Sequence, residues 1–262
     1  MVGHVESSGW RPFAAGCRAI QVGLLIELIA VYCVLTSLGY VPAQRLFLGP
    51  PFSRPAVVDT YGFQLLIPVT LLLVVGAFAT AYGRWRMSDL PNGTGARVVL
   101  TVAAVLATAR AVVLMSCVVF LAMAGHGRGV GAEVLVFGAA IAYGCGLLAG
   151  TVAELSALPG VALVAGALPS RRLRIATGRL TVAVLLIAVV WLAVLAAGTT
   201  MYFSSRLTPG AGIAGLSPSW RSAVQLIALL LGPILTATYT WVQYRLYSAA
   251  RSAVHTDPEP TD

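Results

Sequence analysis

Apolar residues run along this chain in long blocks, separated by short stretches where proline, glycine, serine and arginine gather. The blocks cover residues 19–39, 61–82, 98–124, 134–158, 180–203 and 221–247. Each has about 20 residues or more, which at about 1.5 Å per residue crosses a hydrocarbon core of about 30 Å. No run of short alternating strands is present, so a transmembrane barrel is excluded. The pattern predicts an all-α, polytopic membrane helix bundle of about six transmembrane helices, forming one domain over residues 1–251. The acidic, proline-containing tail at 252–262 is expected to be disordered.

The connections have distinct characters. Residues 40–59 hold four prolines and read as an extended surface loop. Residues 83–96 contain the turn sequence Pro91-Asn92-Gly93, residues 125–131 are glycine-rich, and 169–179 are strongly basic. The fourth block stays apolar as far as Leu168, but Pro159-Gly160 is expected to end or bend its helix. Pro68 and Pro233 lie inside the second and sixth blocks, where transporters sometimes break helices.

Apart from Arg221 and Arg245 at the two ends of the sixth, three charges fall inside the blocks. Arg110 lies close to the middle of the third, Glu27 near the middle of the first, and Glu154 toward the end of the fourth. A charge at such depth costs several kcal/mol, so it faces protein or water and has a partner. Glu27 and Arg110 come at nearly the same depth, and Glu154 is a second candidate partner for Arg110. The cluster reads either as a substrate or proton site or as ion pairs that fix helix order. The fourth block also carries Gly138, Ala142, Gly146 and Gly150 four residues apart, ending at Glu154. Such a ridge of small residues lets another helix approach closely, and the third block offers a matching face through Ala103, Ala107, Arg110 and Cys117.

Composition narrows the setting. With 58% hydrophobic and 10% charged residues and a mean hydropathy of +0.88, the chain has no room for a separate aqueous domain. Every one of its 17 basic residues is arginine, a bias that with the high Ala and Gly points to a GC-rich bacterial genome. The net charge of +8 does not imply nucleic-acid binding, because the arginines sit in the connections. Anionic lipid headgroups are the expected partners there, above all at Arg171, Arg172, Arg174 and Arg179. Eleven arginines, Arg84 and Arg86 among them, fall on one side and five on the other, with Arg110 between. The richer side is expected to be cytoplasmic and to hold both termini, in a bacterial inner membrane.

Catalytic chemistry is sparse. The three histidines, His4, His126 and His255, all lie outside the blocks, which argues against haem ligation and a histidine metal site. Cys17, Cys33, Cys117 and Cys145 have no CxxC spacing and read as small buried hydrophobes. The glycines around His126 have no preceding strand and read as a hairpin, not a nucleotide loop. Neither a cofactor nor a catalytic constellation is expected.

Gly9-Trp10-Arg11 with Ile20-Gln21-Val22-Gly23-Leu24, and Tyr82-Gly83-Arg84 leading through Pro91 to Gly95-Ala96-Arg97, carry a family resemblance. Over residues 9–110 the chain resembles small polytopic membrane proteins of planctomycete type. It departs from them at Met87, where cysteine is common, and in its basic stretch at 170–179. That group has no assigned activity, so the resemblance implies a multi-pass membrane protein and supplies no site residues. Two functions stand at this point. The leading one is a non-enzymatic structural, accessory or sensing component, since the polar groups are few enough to be consumed by folding. The other is a small transporter or channel using Glu27, Arg110 and Glu154; a cavity reaching Arg110 would favour it, and a dry, closed bundle would favour the first.

Overall fold

The computed structural model describes residues 10–40, 60–90, 95–126, 130–168, 170–207 and 218–255. They form six helices: α1 (Arg11–Tyr40), α2 (Thr60–Ser88), α3 (Ala96–His126), α4 (Val130–Ala167), α5 (Arg171–Leu207) and α6 (Pro218–His255). Five of them, α1 to α5, contain a described stretch long and apolar enough to cross a membrane. Large apolar side chains point outward along their lengths, as with Val22 and Ile29 on α1, Val75 and Phe78 on α2, and Val105, Val112 and Val119 on α3. A water-soluble monomer rarely exposes apolar surface on that scale, whereas a bilayer covers it. The protein is a multi-pass helical membrane protein.

Each helix packs on its neighbours in sequence, and α6 closes the series against α1. The chain therefore winds into a ring of six alternating helices. One end of that ring holds a continuous core in which Trp10, Phe13, Leu90, Leu168, Leu173 and Val254 meet. This core explains why several helices outrun the expected blocks. The basic stretch at 171–179 is the start of α5, not a connection, because Leu173 and Ala176 are buried and Ser170 caps the helix. The Ser170 hydroxyl accepts from the Leu173 amide at 3.3 Å. Ser252 to His255, expected in a disordered tail, are the last turn of α6, held by buried Val254. The remainder of that tail, and residues 41–59, lie outside the described residues. Helix α4 continues through Pro159, held beyond it by the burial of Val161, Val164 and Ala165, which offsets the hydrogen bond that proline cannot donate.

Two close helix contacts set the frame. The ridge on α4 packs on α3 in antiparallel register. A Cβ on Gly146 would come within 2.8 Å of the Leu114 side chain, and one on Gly150 within 2.8 Å of the Arg110 Cδ. Gly138 lies against the Phe120 ring, and Ala142 is buried with Cys117 and Leu121. The second contact, between α1 and α2, is closer still. Gly23 and Gly76 face each other, as do Gly16 and Gly83, and each added Cβ would sit 2.5–2.7 Å from the opposing glycine's carbonyl oxygen. Backbone meets backbone here, which only glycine permits.

One packing result is expected from the first contact. Gly146→Leu should lower the stability of the detergent-solubilised protein by about 1–3 kcal/mol, because the Leu114 side chain can give way only in part. Val152→Leu, on the outward face of the same helix, should be near neutral in the same thermal-denaturation assay.

Candidate functional site

The ion-paired and hydrogen-bonded polar cluster of the bundle interior draws on five of the described helices. On α1, Glu27 is buried four residues beyond Gly23, on the glycine face that is pressed against α2. Its Oε2 accepts a hydrogen bond from Arg110 of α3 at 2.7 Å. Arg110 reaches it by lying flat over Gly150, whose missing side chain leaves room for the guanidinium. The small ridge thus does two things at once. It brings α4 close to α3, and it makes space for the arginine.

Glu154 is not bonded to Arg110. Its Oε2 takes hydrogen bonds from Arg84 of α2 and from the Tyr239 hydroxyl of α6. Arg84, expected in a connection on the arginine-rich side, lies within α2 and is only 1% exposed. It is the largest fully buried side chain among the described residues. The helix continues past it because no proline or glycine follows until Pro91, and because buried Met87 and Ser88 pack at its end. Arg84 also points a nitrogen at the Met87 sulfur, 3.7 Å away. Gln243, one turn beyond Tyr239 and wholly buried, donates from Nε2 to the Tyr239 oxygen at 2.7 Å.

These bonds connect helices that do not pack side by side in the ring. Glu27–Arg110 joins α1 to α3, Arg84–Glu154 joins α2 to α4, and Tyr239–Glu154 joins α6 to α4. Small residues hold neighbours together, and charges reach across the interior. Away from bulk water such polar contacts specify which helices meet across the interior.

A cavity of about 130 Å³ opens between the two ion pairs. Glu27, Arg110, Glu154, Tyr239, Thr151 and Thr236 supply its polar wall. Leu24, Leu147, Val184, Ile187 and Leu235 supply the apolar one. Such a volume holds several water molecules or a small solute. Glu27 is 6% exposed, and its Oε1 has no hydrogen-bond partner among the described residues. A buried carboxylate oxygen in that state costs about 1–3 kcal/mol or more unless a donor reaches it. No three of His, Cys, Asp and Glu converge to hold a metal ion among the described residues.

The sequence had brought forward Glu27, Arg110, Glu154 and the ridge, but not Arg84, Tyr239 or Gln243. Arg84 was hidden by Trp85 and Arg86 beside it, which read as a membrane boundary. The four-residue spacing of Tyr239 and Gln243 was visible as a polar stripe on an otherwise apolar face. Comparison with protein-family models, with curated proteins and with solved structures finds no match.

Proposed function

We propose that this is a small transporter: a protein of a bacterial inner membrane, with six crossings and both termini in the cytoplasm, that passes a small polar solute through its interior. The observation that carries the reading is the cavity beside Glu27 and Arg110. Charges that serve only to order helices gain nothing from an adjacent void, since close packing would strengthen them and remove lost contacts. A cavity walled by a carboxylate with a spare oxygen, a guanidinium and a phenol offers a solute both acceptors and donors. The solute's donor group would complete Glu27, and its acceptor would meet Arg110.

Labelling tests the reading. In a chain freed of Cys17, Cys33, Cys117 and Cys145, Thr151→Cys lies in the cavity wall and Val152→Cys faces outward. A water-soluble thiol reagent is expected to modify the first and spare the second. Equal protection of both would make the cavity dry and leave the second reading: a structural, accessory or sensing component. That reading is favoured by the fact that Glu27, Arg84, Arg110 and Glu154 each already have an opposite partner.

The orientation has its own test. Reporter fusions at Ser53, Gly127 and Pro209 are expected to report outside, and fusions at Gly93 and Arg172 inside. An inside signal at Gly127 would overturn the arrangement, since every later crossing depends on it.

A further inference from the structure

A second cavity, of about 300 Å³, lies between α5 and α6 at the end of the ring where α5 begins and α6 ends. That volume is at the lower end of the range typical of small-ligand sites. On α5 its lining is Arg172, Ile175, Ala176 and Arg179, and on α6 it is Arg245, Ser248, Ala249 and Ser252. Both sets follow the spacing of one helix face, so two helices turn matching stripes toward each other. Three arginines thus share one cleft, and among the described residues no carboxylate lines it. Like charges gathered this way repel unless an anion joins them.

Two features say which anion. First, the apolar floor of the cleft continues outward along α5. Ile175, Val182, Leu186 and Val189 are all about half exposed or more and lie on one face, forming a lane from the cleft into the hydrocarbon. A free phosphate has no use for such a lane, whereas an acyl chain does. Second, Arg245 lies over the ring of Trp241, 5.4 Å from its centroid, and Trp241 and Tyr244 are exposed beside it. Aromatic rings of this kind sit at the level of lipid headgroups, so the stacked guanidinium is held at phosphate depth.

We propose that this cleft is a specific site for an anionic phospholipid, with Arg172, Arg179 and Arg245 around its phosphate, Ser248 and Ser252 at the polar rim, and an acyl chain along the α5 lane. Of the arginines expected to meet headgroups, Arg172 and Arg179 therefore form the site, and Arg171 and Arg174, which do not line it, contribute only general surface charge. The site does not depend on the transport reading.

The test is native mass spectrometry of the full chain in mild detergent, titrated with phosphatidylglycerol, phosphatidylcholine or inorganic phosphate. Wild type is expected to retain one phosphatidylglycerol in preference to phosphatidylcholine. An interfacial arginine contributes about fivefold to such binding, so Arg179→Gln with Arg245→Gln should weaken it on the order of twentyfold. Arg171→Gln with Arg174→Gln removes the same charge outside the cleft and should weaken binding far less. Equal losses in both double variants would reduce the site to delocalised charge and overturn the proposal. Displacement of the lipid by millimolar inorganic phosphate would overturn it too, by showing that the acyl chain adds nothing. So would binding that appears only after Asp257→Asn, Glu259→Gln and Asp262→Asn, because the chain's own acidic end would then be the occupant.

Discussion

Gly23→Leu is expected to remove most of the folded protein recovered in mild detergent. A Cβ at this position would sit 2.6 Å from the Gly76 carbonyl oxygen and 2.8 Å from the Thr80 amide nitrogen. Both are backbone atoms of a helix, and neither can swing aside as the Leu114 side chain can beside Gly146. The two helices must separate, and the cost passes beyond the range of about 1–3 kcal/mol usual for overpacking. Separation would also move Glu27, whose Cγ lies 2.5 Å from where a Gly76 Cβ would be, away from its place on the α1–α2 seam. Gly16→Leu and Gly83→Leu should behave alike, since they form the same contact one heptad away. Val22→Leu, next in sequence but facing outward, should be tolerated. Size-exclusion profiles and thermal denaturation would decide; normal recovery of Gly23→Leu would mean that α1 and α2 are not in backbone contact.

The ridge on α4 announces itself through four small residues at four-residue intervals, a pattern strong enough to be read alone. The seam between α1 and α2 uses only two glycines on each helix, seven apart: Gly16 and Gly23, Gly76 and Gly83. Either pair alone is ordinary in an apolar segment. The signal lies in the equality of two spacings on successive helices, which suits an antiparallel pair meeting along a heptad seam. In the antiparallel register that these equal spacings allow, each glycine faces one of the other helix.

The charges divide in the same manner. Glu27 and Arg110 stand out because nothing polar surrounds them in sequence, and depth alone matched them. Glu154 was recognised, but its partner was not. Arg84 is followed at once by Trp85 and Arg86, and that trio resembles the edge of a membrane segment. In the fold, Trp85 turns outward and donates from Nε1 to Thr108 of α3 at 3.1 Å, while Arg84 turns inward. A helix 100° per residue separates the two fates, and sequence position cannot. The cleft arginines show the reverse case. Their basic character was plain, yet which of them share a face with Arg245 depended on how α5 and α6 are rotated against one another.

The pairing itself is open to a decisive exchange experiment. Arg84→Leu should leave the Glu154 carboxylate facing only Tyr239, and Glu154→Gln should leave the fully buried Arg84 without a counter-charge. Loss of one partner from a buried pair costs about 3–5 kcal/mol. Each single variant, with Glu27→Gln and Arg110→Leu alongside, is therefore expected to lower the melting temperature and yield sharply. Joining the matched changes, Arg84→Leu with Glu154→Gln or Arg110→Leu with Glu27→Gln, removes both charges of a pair and should recover part of the loss. The crossed combination, Arg110→Leu with Glu154→Gln, leaves Glu27 and Arg84 bare together, so its losses should add. Recovery in the crossed variant without recovery in the matched ones would show that Arg110 and Glu154 form the true pair. Additive losses in all three would show that the four charges are not paired at all and that water, entering through the cavity, solvates each.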